Sequence, residues 1–185
     1  MKKYWRDYIV LILIAGFIIA LDQWTKTMVR NNLAPAEGWA PWDWLYPYVH
    51  IVNWWNTGAA FGIFQQGSLV FTVLAFVVIG LILYYYPRIP AADWSLRLAL
   101  GMQLGGAFGN LIDRLTMGGR VTDFIRMGDF PIFNVADASI SVGVAVLILG
   151  MCINERQKQK ENPVAEVSMV QELPAPQAAE DRKDG

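Results

Sequence analysis

Four long apolar runs dominate the pattern of hydrophobic and polar positions along the chain. They cover Tyr8–Met28, Leu69–Tyr86, Trp94–Ile112 and Asp137–Ile153. At about 1.5 Å per helical residue, each run can cross or nearly cross a hydrocarbon layer of roughly 30 Å. Their residues do not alternate as those of a membrane β-strand would. The pattern predicts an all-α integral membrane protein with four transmembrane helices, which form a single domain over residues 1–153.

Cations are distributed unequally between the two sides of these helices. Eight lie on the side of the termini, namely Lys2, Lys3, Arg6, Arg88, Arg97, Arg156, Lys158 and Lys160, and four lie on the opposite side, namely Arg30, Arg114, Arg120 and Arg126. Because cytoplasmic loops carry the excess of lysine and arginine, we expect both termini to be cytoplasmic. The basic start also fits a cleaved signal peptide, but Asp22 and Lys26 follow where a cleavage site would stand. A retained first helix is therefore favoured.

The segments outside the four helices differ sharply in character. Val29–Gly67 holds five of the eight tryptophans, a density typical of the membrane interface. Within it, Tyr48–Trp54 is rich in β-branched and aromatic residues and predicts a short strand, and Phe61–Phe64 could form a short amphipathic piece. We therefore expect a small extracytoplasmic β/amphipathic element between helices 1 and 2. Residues 154–185 are charged and lack aromatic residues, which predicts a disordered cytoplasmic tail.

Composition removes several classes of function. The net charge of −1 gives no indication of a nucleic-acid partner. With one cysteine, Cys152, and one histidine, His50, the chain offers neither an internal disulfide nor a thiolate zinc cluster nor an HExxH motif. A Ser-His-Asp triad would have to use His50, and no GxSxG motif accompanies it. Carboxylates, amides and hydroxyls remain as candidate chemistry, and we expect no metal and no cofactor.

Polar residues interrupt the apolar runs at one level, the outer membrane–water boundary. They are Asp22, Lys26, Asn110, Asp113, Arg114, Asp123, Asn134 and Asp137. Most have a purely structural interpretation. Asp22 and Lys26 can form an ion pair with a snorkelling lysine, Asn134 and Asp137 can cap a helix, and Asp113 and Arg114 can end a helix at the headgroups. Their convergence on one level favours a functional site instead, since ionisable groups in a membrane usually face a cavity.

Glycines recur every four residues on the third predicted helix, at Gly101, Gly105 and Gly109. Small residues at this spacing let two helices approach closely. The glycines lie within a helical run rather than in a strand-to-helix loop, so they do not indicate phosphate binding. They predict close packing of the third helix.

Five sequence boxes, in order along the chain, resemble those of the lipoprotein signal peptidase (signal peptidase II) family. They are Asp22-Gln-Trp-Thr-Lys26, Asn56-Thr-Gly-Ala-Ala-Phe61, Gly105-Gly-Ala-Phe-Gly-Asn110-Leu-Ile-Asp113-Arg114, Val121-Thr-Asp123-Phe124 and Phe133-Asn134-Val-Ala-Asp137. The resemblance extends from about Tyr8 to Ile153. One such box is a weak signal, whereas the ordered set is highly specific.

The resemblance implies an aspartic endopeptidase, multi-pass in the bacterial inner membrane, with its active site near the periplasmic face. This family cleaves prolipoproteins before a diacylglyceryl-modified cysteine, and its partners include membrane lipid and globomycin-type inhibitors. Asp123 and Asp137 would be the catalytic dyad. The supporting or substrate-binding residues would be Asp22, Lys26, Asn56, Gly58, Asn110, Asp113, Arg114 and Asn134. We also expect a monomer, without a cofactor or metal.

The predicted dyad has two members in different settings. Two neighbouring carboxylates tend to share one proton. Asp137 begins a helix, whose positive N-terminal end favours an ionised carboxylate, whereas Asp123 is expected in a loop beside Phe124. We therefore expect Asp137 to be ionised and Asp123 to carry the proton. The two are only 14 positions apart, which is short for the family and predicts a less complete cover over the site.

Two other classes of protein share part of this pattern. A small four-helix transporter would also be short and rich in packing glycines, but it predicts a dominant carboxylate at the membrane midplane. A non-enzymatic adaptor using the interfacial segment predicts that Asp123→Asn and Asp137→Asn would both be silent.

Overall fold

The computed structural model of the chain describes residues 2–58 and 67–161, and within these it contains four α-helices and three strands. Their bounds, in chain order, are α1 Lys2–Asn32, β1 Gly38–Trp39, β2 Val49–Asn56, α2 Ser68–Tyr85, α3 Trp94–Thr116, β3 Val121–Met127 and α4 Val135–Glu161. The described residues up to 148 form one compact unit, separate from those that follow. The first unit holds the sheet, α1 to α3 and the beginning of α4, and all contacts below lie within it.

Three of the four long helices have the length and apolar composition needed to cross a membrane. They are α1, α2 and α4, with candidate spans Trp5–Asn32, Ser68–Arg88 and Val135–Arg156 in the described part of the chain. Helix α3 has 23 residues but carries charges at Arg97, Asp113 and Arg114. The prediction of a helical protein that crosses the membrane several times is confirmed for these three helices. The fourth span and the cytoplasmic location of both termini stay predictions.

Helix α3 lies at the centre of the helices and packs through its glycines. A Cβ atom on Gly105 would lie 2.7 Å from the Ile18 Cβ of α1, and one on Gly106 would lie 2.5 Å from the backbone oxygen of Ala136 in α4. These distances leave no room for a side chain. The predicted role of the small residues in close helix packing is therefore confirmed, and α3 faces protein along much of its length.

Adding one methyl group at this contact should destabilise the protein. We expect Gly106→Ala to lower the free energy of unfolding by about 1–3 kcal/mol, because the backbone of α4 must move away from α3. The measurement is thermal unfolding in mild detergent. The control is Gly80→Ala on α2, where no atom lies within 4 Å of the added Cβ; it should be neutral or slightly stabilising, since alanine favours a helix. Equal melting temperatures for the two variants would contradict this packing.

The three strands form one antiparallel sheet in the order β1-β2-β3. Strand β2 confirms the predicted strand at Tyr48–Trp54, displaced by one to two residues. Strand β3 was not predicted: it lies between α3 and α4, and the expectation that Asp123 lies in a loop is wrong, since Asp123 pairs with Trp54 of β2. The polar residues Thr122 and Asp123 interrupt the alternation of apolar and polar residues that would have indicated a strand. Strand β2, with which β3 pairs, is distant along the chain.

Two predictions concern residues that the structure does not describe. The amphipathic piece at Phe61–Phe64 lies wholly outside the described residues, and the disordered tail at 154–185 lies partly outside them. Helix α4 continues to Glu161, beyond the predicted beginning of the tail at 154. For residues 162–185 the disordered tail remains a prediction.

Candidate active site

Asp123 and Asp137 line the same cavity, whose volume is about 530 Å³. Asp123 comes from β3 and Asp137 from the first turn of α4. Four other residues singled out from the sequence also line this cavity, namely Asn56, Gly58, Asn110 and Arg114. The fold thus collects these residues from the antiparallel strands β2 and β3, from the turn after β2 and from helices α3 and α4 around one space.

Asp123 is almost completely buried, with an exposed fraction of 2%. Its Oδ2 accepts a hydrogen bond from Asn56 Nδ2 (3.0 Å) and its Oδ1 accepts one from Asn134 Nδ2 (2.7 Å). Burial, and next the negative charge of Asp137, raise the pKa of Asp123 from 3.8 to about 7, although the two amide donors oppose the rise. Near neutral pH this carboxyl therefore still holds a proton in a large share of molecules.

Asp137 is fixed by the beginning of α4. Its backbone N–H donates to Asn134 Oδ1 (2.9 Å), and the backbone N–H of Asn134 donates to Asp137 Oδ2 (3.2 Å). This reciprocal arrangement is a capping box, and it places the carboxylate at the positive end of the helix. Asp137 Oδ1 also accepts a hydrogen bond, the second to this carboxylate, from Asn110 Nδ2 (2.8 Å). The carboxylate is held on both oxygens while it still faces the cavity.

Two buried amides connect the pair of carboxylates to the protein interior. Asn134 is fully buried, and its Nδ2 lies 3.1 Å from Asn110 Oδ1 as well as contacting Asp123. Asn110 Oδ1 also accepts a hydrogen bond from Lys26 Nζ (3.0 Å). Because neither amide can rotate without losing several partners, they fix both carboxyl groups relative to each other.

Behind the amides lies a cluster of charged groups, which we call the ion cluster: the buried Asp22, Lys26 and Asp113 and the partly exposed Arg30. Lys26 Nζ lies 2.8 Å from Asp22 Oδ2 and 3.5 Å from Asp113 Oδ2, and all three residues are 0% exposed. The predicted ion pair of Asp22 and Lys26 is confirmed, but the predicted snorkelling is wrong. The buried lysine finds its partners inside the protein, so it has no need to reach water.

The ion cluster also holds the beginning of α4. Asp22 Oδ1 accepts a hydrogen bond from the backbone N–H of Ala136 (2.9 Å), one of the amide groups that a helix leaves unpaired at its first turn. Asp22 therefore joins α1 to the turn that carries Asp137.

Three residues of this network were not singled out from the sequence. Arg30 NH1 donates to Thr122 Oγ1 (3.0 Å) and lies 3.4 Å from Asp113 Oδ1. Gln23 Nε2 donates to Asp113 Oδ1 (3.2 Å) and to the Gly109 carbonyl (3.0 Å). The place of Arg30 in this network could have been predicted, because Asp22, Lys26 and Arg30 recur every four residues and so lie on one face of a helix. Nothing local in the sequence indicated Thr122.

Arg114 stands apart from these pairs. Its guanidinium carbon lies 5.6 Å from the centre of the Phe71 ring, and it makes no ion pair with any residue in 2–58 or 67–161. The cavity therefore offers a cation beside two carboxyl groups.

The remaining wall of the cavity is mostly apolar, and the sequence analysis did not predict it. Its apolar residues are Phe71, Val121, Phe130, Ile132, Phe133, Ile140 and Val142. Among the described residues, no group of three His, Cys, Asp or Glu side chains is placed to hold a metal ion.

The chain was compared with known proteins. A model of the family described as signal peptidase (SPase) II matches residues 14–153. The lipoprotein signal peptidase of Shouchella clausii (strain KSM-K16) is 41% identical over 150 residues, which cover 80% of this chain and 96% of that protein. The lipoprotein signal peptidase of Bacillus subtilis (strain 168) is 39% identical over 153 residues, covering 80% and 97%.

A solved structure supports the same relationship. It is a bacterial membrane enzyme determined by the in meso method at 2.3 Å resolution. It superposes with a TM-score of 0.73 at 29% identity, covering 80% of this chain and 90% of that one. The family match, the two relatives and the shared fold agree, and the chain belongs to the signal peptidase II family.

Proposed function

We propose that this protein is an aspartic endopeptidase that removes signal peptides from prolipoproteins by cleaving before the diacylglyceryl-modified cysteine. The observation that carries the proposal is the pair of carboxyl groups, Asp123 and Asp137, on one cavity. Family membership supports the same activity. Two carboxyl groups that share one proton can supply both a base and an acid to peptide hydrolysis.

In this mechanism the ionised Asp137 takes a proton from the attacking water, and Asp123 donates its proton to the oxygen of the scissile carbonyl. Support for this division comes from the two settings. The Asp137 carboxylate accepts two hydrogen bonds, from Asn110 Nδ2 and from the backbone N–H of Asn134, and it lies at a helix N-terminus, which stabilises negative charge. Asp123 is buried, and burial favours its neutral form.

The other residues of the site act through position and charge. Asn56 and Asn134 orient Asp123, and Asn110 orients Asp137. Asp22, Lys26 and Asp113 support these residues from behind, within the ion cluster. Arg114 and Gly58 line the cavity, where the substrate can contact them. Arg114 would bind a carbonyl oxygen or a lipid phosphate.

The proposed orientation places four spans across the bacterial inner membrane, with α3 as the fourth, both termini in the cytoplasm and the cavity at the periplasmic face. The asymmetry of lysine and arginine supports it. The buried glycine contacts of α3 support its place in the bundle, because a helix covered by protein does not need a fully apolar surface. The apolar wall of the cavity suits the diacylglyceryl group and the signal peptide. We further propose that the protein acts as a monomer and that globomycin-type inhibitors occupy this cavity.

The test is cleavage by the full chain, purified in mild detergent, of a prolipoprotein carrying a diacylglyceryl cysteine. We expect a product that begins at the modified cysteine, identified by mass spectrometry. The matched control substrate is the same precursor with an unmodified cysteine, which should not be cut. No cleavage of the modified precursor, or cleavage at another bond, would overturn the proposal.

The pKa of Asp123 predicts how cleavage depends on pH. Since Asp123 must be protonated to act as the acid, the rate should fall as the pH rises through about 7. Asn56→Ala removes a donor that stabilises the charged form of Asp123, so the fall should move toward higher pH by about one pH unit. The measurement is the pH profile of kcat/KM.

The control for this shift is Asn32→Ala, an exposed asparagine at the end of α1. Its pH profile should match that of the unmodified protein. A profile for Asn56→Ala that keeps the same alkaline limb, or moves it to lower pH, would contradict the assignment of the acid to Asp123.

A further inference from the structure

We propose that a second site, at the end of the helices opposite the dyad, binds the headgroup of one anionic phospholipid. A cavity of about 690 Å³ lies there between the N-terminal half of α1, from Arg6 to Ile14, and the beginning of α3. Its polar lining consists of Arg6, Asp7 and Arg97. None of its lining residues belongs to the proposed catalytic machinery, and Asp7 is 15 residues from Asp22 on the same helix, or about 22 Å along the helix axis.

Arg97 is the central group of this cavity, and its hydrogen-bonding capacity is incompletely used. It is only 8% exposed, yet within the described residues its guanidinium makes a single hydrogen bond, to Asp7 Oδ1. Its other contact is the face of Tyr86, 4.9 Å from the ring centre. A guanidinium has five N–H donors, and no Arg97 nitrogen is both buried and without a partner, so the donors that Asp7 leaves free are accessible rather than sealed in the protein. The remaining donors match the oxygens of a phosphate, which arginine binds in a bidentate manner.

The charge around Arg97 favours an anion. Arg6 is exposed and supplies a second cation on the cavity wall, while Asp7 offsets one of the two positive charges. The first turn of α3 also borders the cavity, and its N-cap residue Asp93 makes no side-chain cap hydrogen bond. The backbone N–H groups of this first turn add positive potential at the cavity, although that of Trp94 already donates to the Ala92 carbonyl (2.9 Å). The charged lining residues, two arginines and one aspartate, leave one net positive charge, which a ligand with one negative charge balances.

The apolar lining distinguishes a lipid from a soluble anion. Val10, Ile14 and Leu98 form the rest of the wall and can lie along an acyl chain. Two tryptophans at this end, Trp5 and Trp94, are 74% and 67% exposed. Tryptophan concentrates at the level of lipid headgroups, so the cavity lies where a phosphate and the first methylene groups of a lipid would be found.

The test uses the full chain, freed of lipid and kept in mild detergent, and measures by native mass spectrometry which added lipids it binds. We expect one molecule of dioleoyl phosphatidylglycerol to bind in preference to dioleoyl phosphatidylcholine, which has the same acyl chains but no net charge. Arg6→Gln should weaken phosphatidylglycerol binding about fivefold. Asp7→Asn should strengthen it, because it releases Arg97 from its internal partner. The matched control is Arg88→Gln, at the same end of the molecule but outside the cavity lining.

Several results would overturn the assignment. Equal retention of the two lipids would remove the role of charge, and an equal loss for Arg6→Gln and Arg88→Gln would remove the role of the cavity. Competition by glycerol phosphate at the concentration at which the lipid binds would assign the site to a soluble phosphate instead. Arg97→Gln should lose the most binding, but because it also breaks a buried ion pair, the decisive variants are the exposed Arg6→Gln and its opposite, Asp7→Asn.

Discussion

Asp123→Asn and Asp137→Asn should each lower the rate of prolipoprotein cleavage by about 10²–10⁴-fold or more, because each removes one of the two proton-transfer steps. Asparagine at 137 cannot accept the proton of water. Asparagine at 123 has no acid proton to donate to the carbonyl oxygen. Losses in a coupled pair are not additive, so the double variant should be about as inactive as either single one.

The structure provides the controls for this experiment. Asparagine keeps one acceptor oxygen, so part of the hydrogen bonding at each position survives and both variants should remain folded, which a thermal unfolding scan checks. Asp129→Asn removes a carboxylate from the exposed segment between the two positions and should leave the rate unchanged. Full activity in either dyad variant would remove that residue from the proposed mechanism.

Lys26→Met should destabilise the protein by about 3–5 kcal/mol, the largest stability effect we expect from a single substitution. Lys26 is 0% exposed and lies against two carboxylates, Asp22 and Asp113, that are equally buried. Removing the cation leaves these charges in the interior without compensation and removes the donor to Asn110. The measurement is unfolding in mixed micelles as the fraction of dodecyl sulfate is raised.

A second variant separates charge from shape in this prediction. Asp22→Asn combined with Lys26→Met removes one charge of each sign, and the asparagine oxygen can still accept the hydrogen bond from Ala136. The double variant should therefore recover a large part of the lost stability. If it were less stable than Lys26→Met alone, the buried charge of Asp22 would not be the cause of the destabilisation.

The helices could be predicted closely where apolar residues continue without interruption. The run Leu69–Tyr86 became α2 at Ser68–Tyr85, because an apolar surface of that length specifies both the helix and its ends. At α1 and α4 the helices extend beyond the apolar runs, to Lys2 and Glu161, since polar residues continue a helix as readily as apolar ones. Strand β3 depends on pairing with a distant strand, which no local pattern contains.

The site could be predicted as a set of residues but not as a geometry. The spacing of Asp22 and Lys26 indicated an ion pair, but burial of the lysine depends on Asp113 and Asn110, which only tertiary packing brings near it. The capping box at Asn134 and Asp137 was visible because it is local. The assignment of Asp123 and Asp137 as a dyad came from the family resemblance and not from any physical pattern in the chain.

The hydrogen bond from the Ala136 amide to Asp22 bears on how the enzyme is made. The two residues are 114 positions apart, so α1 is synthesised long before the turn that it stabilises. Asn110 of α3, which holds Asp137, is also synthesised earlier. The paired carboxyl groups are therefore complete only when the final helix joins the other three, and a nascent chain has no peptidase activity until its biogenesis is finished.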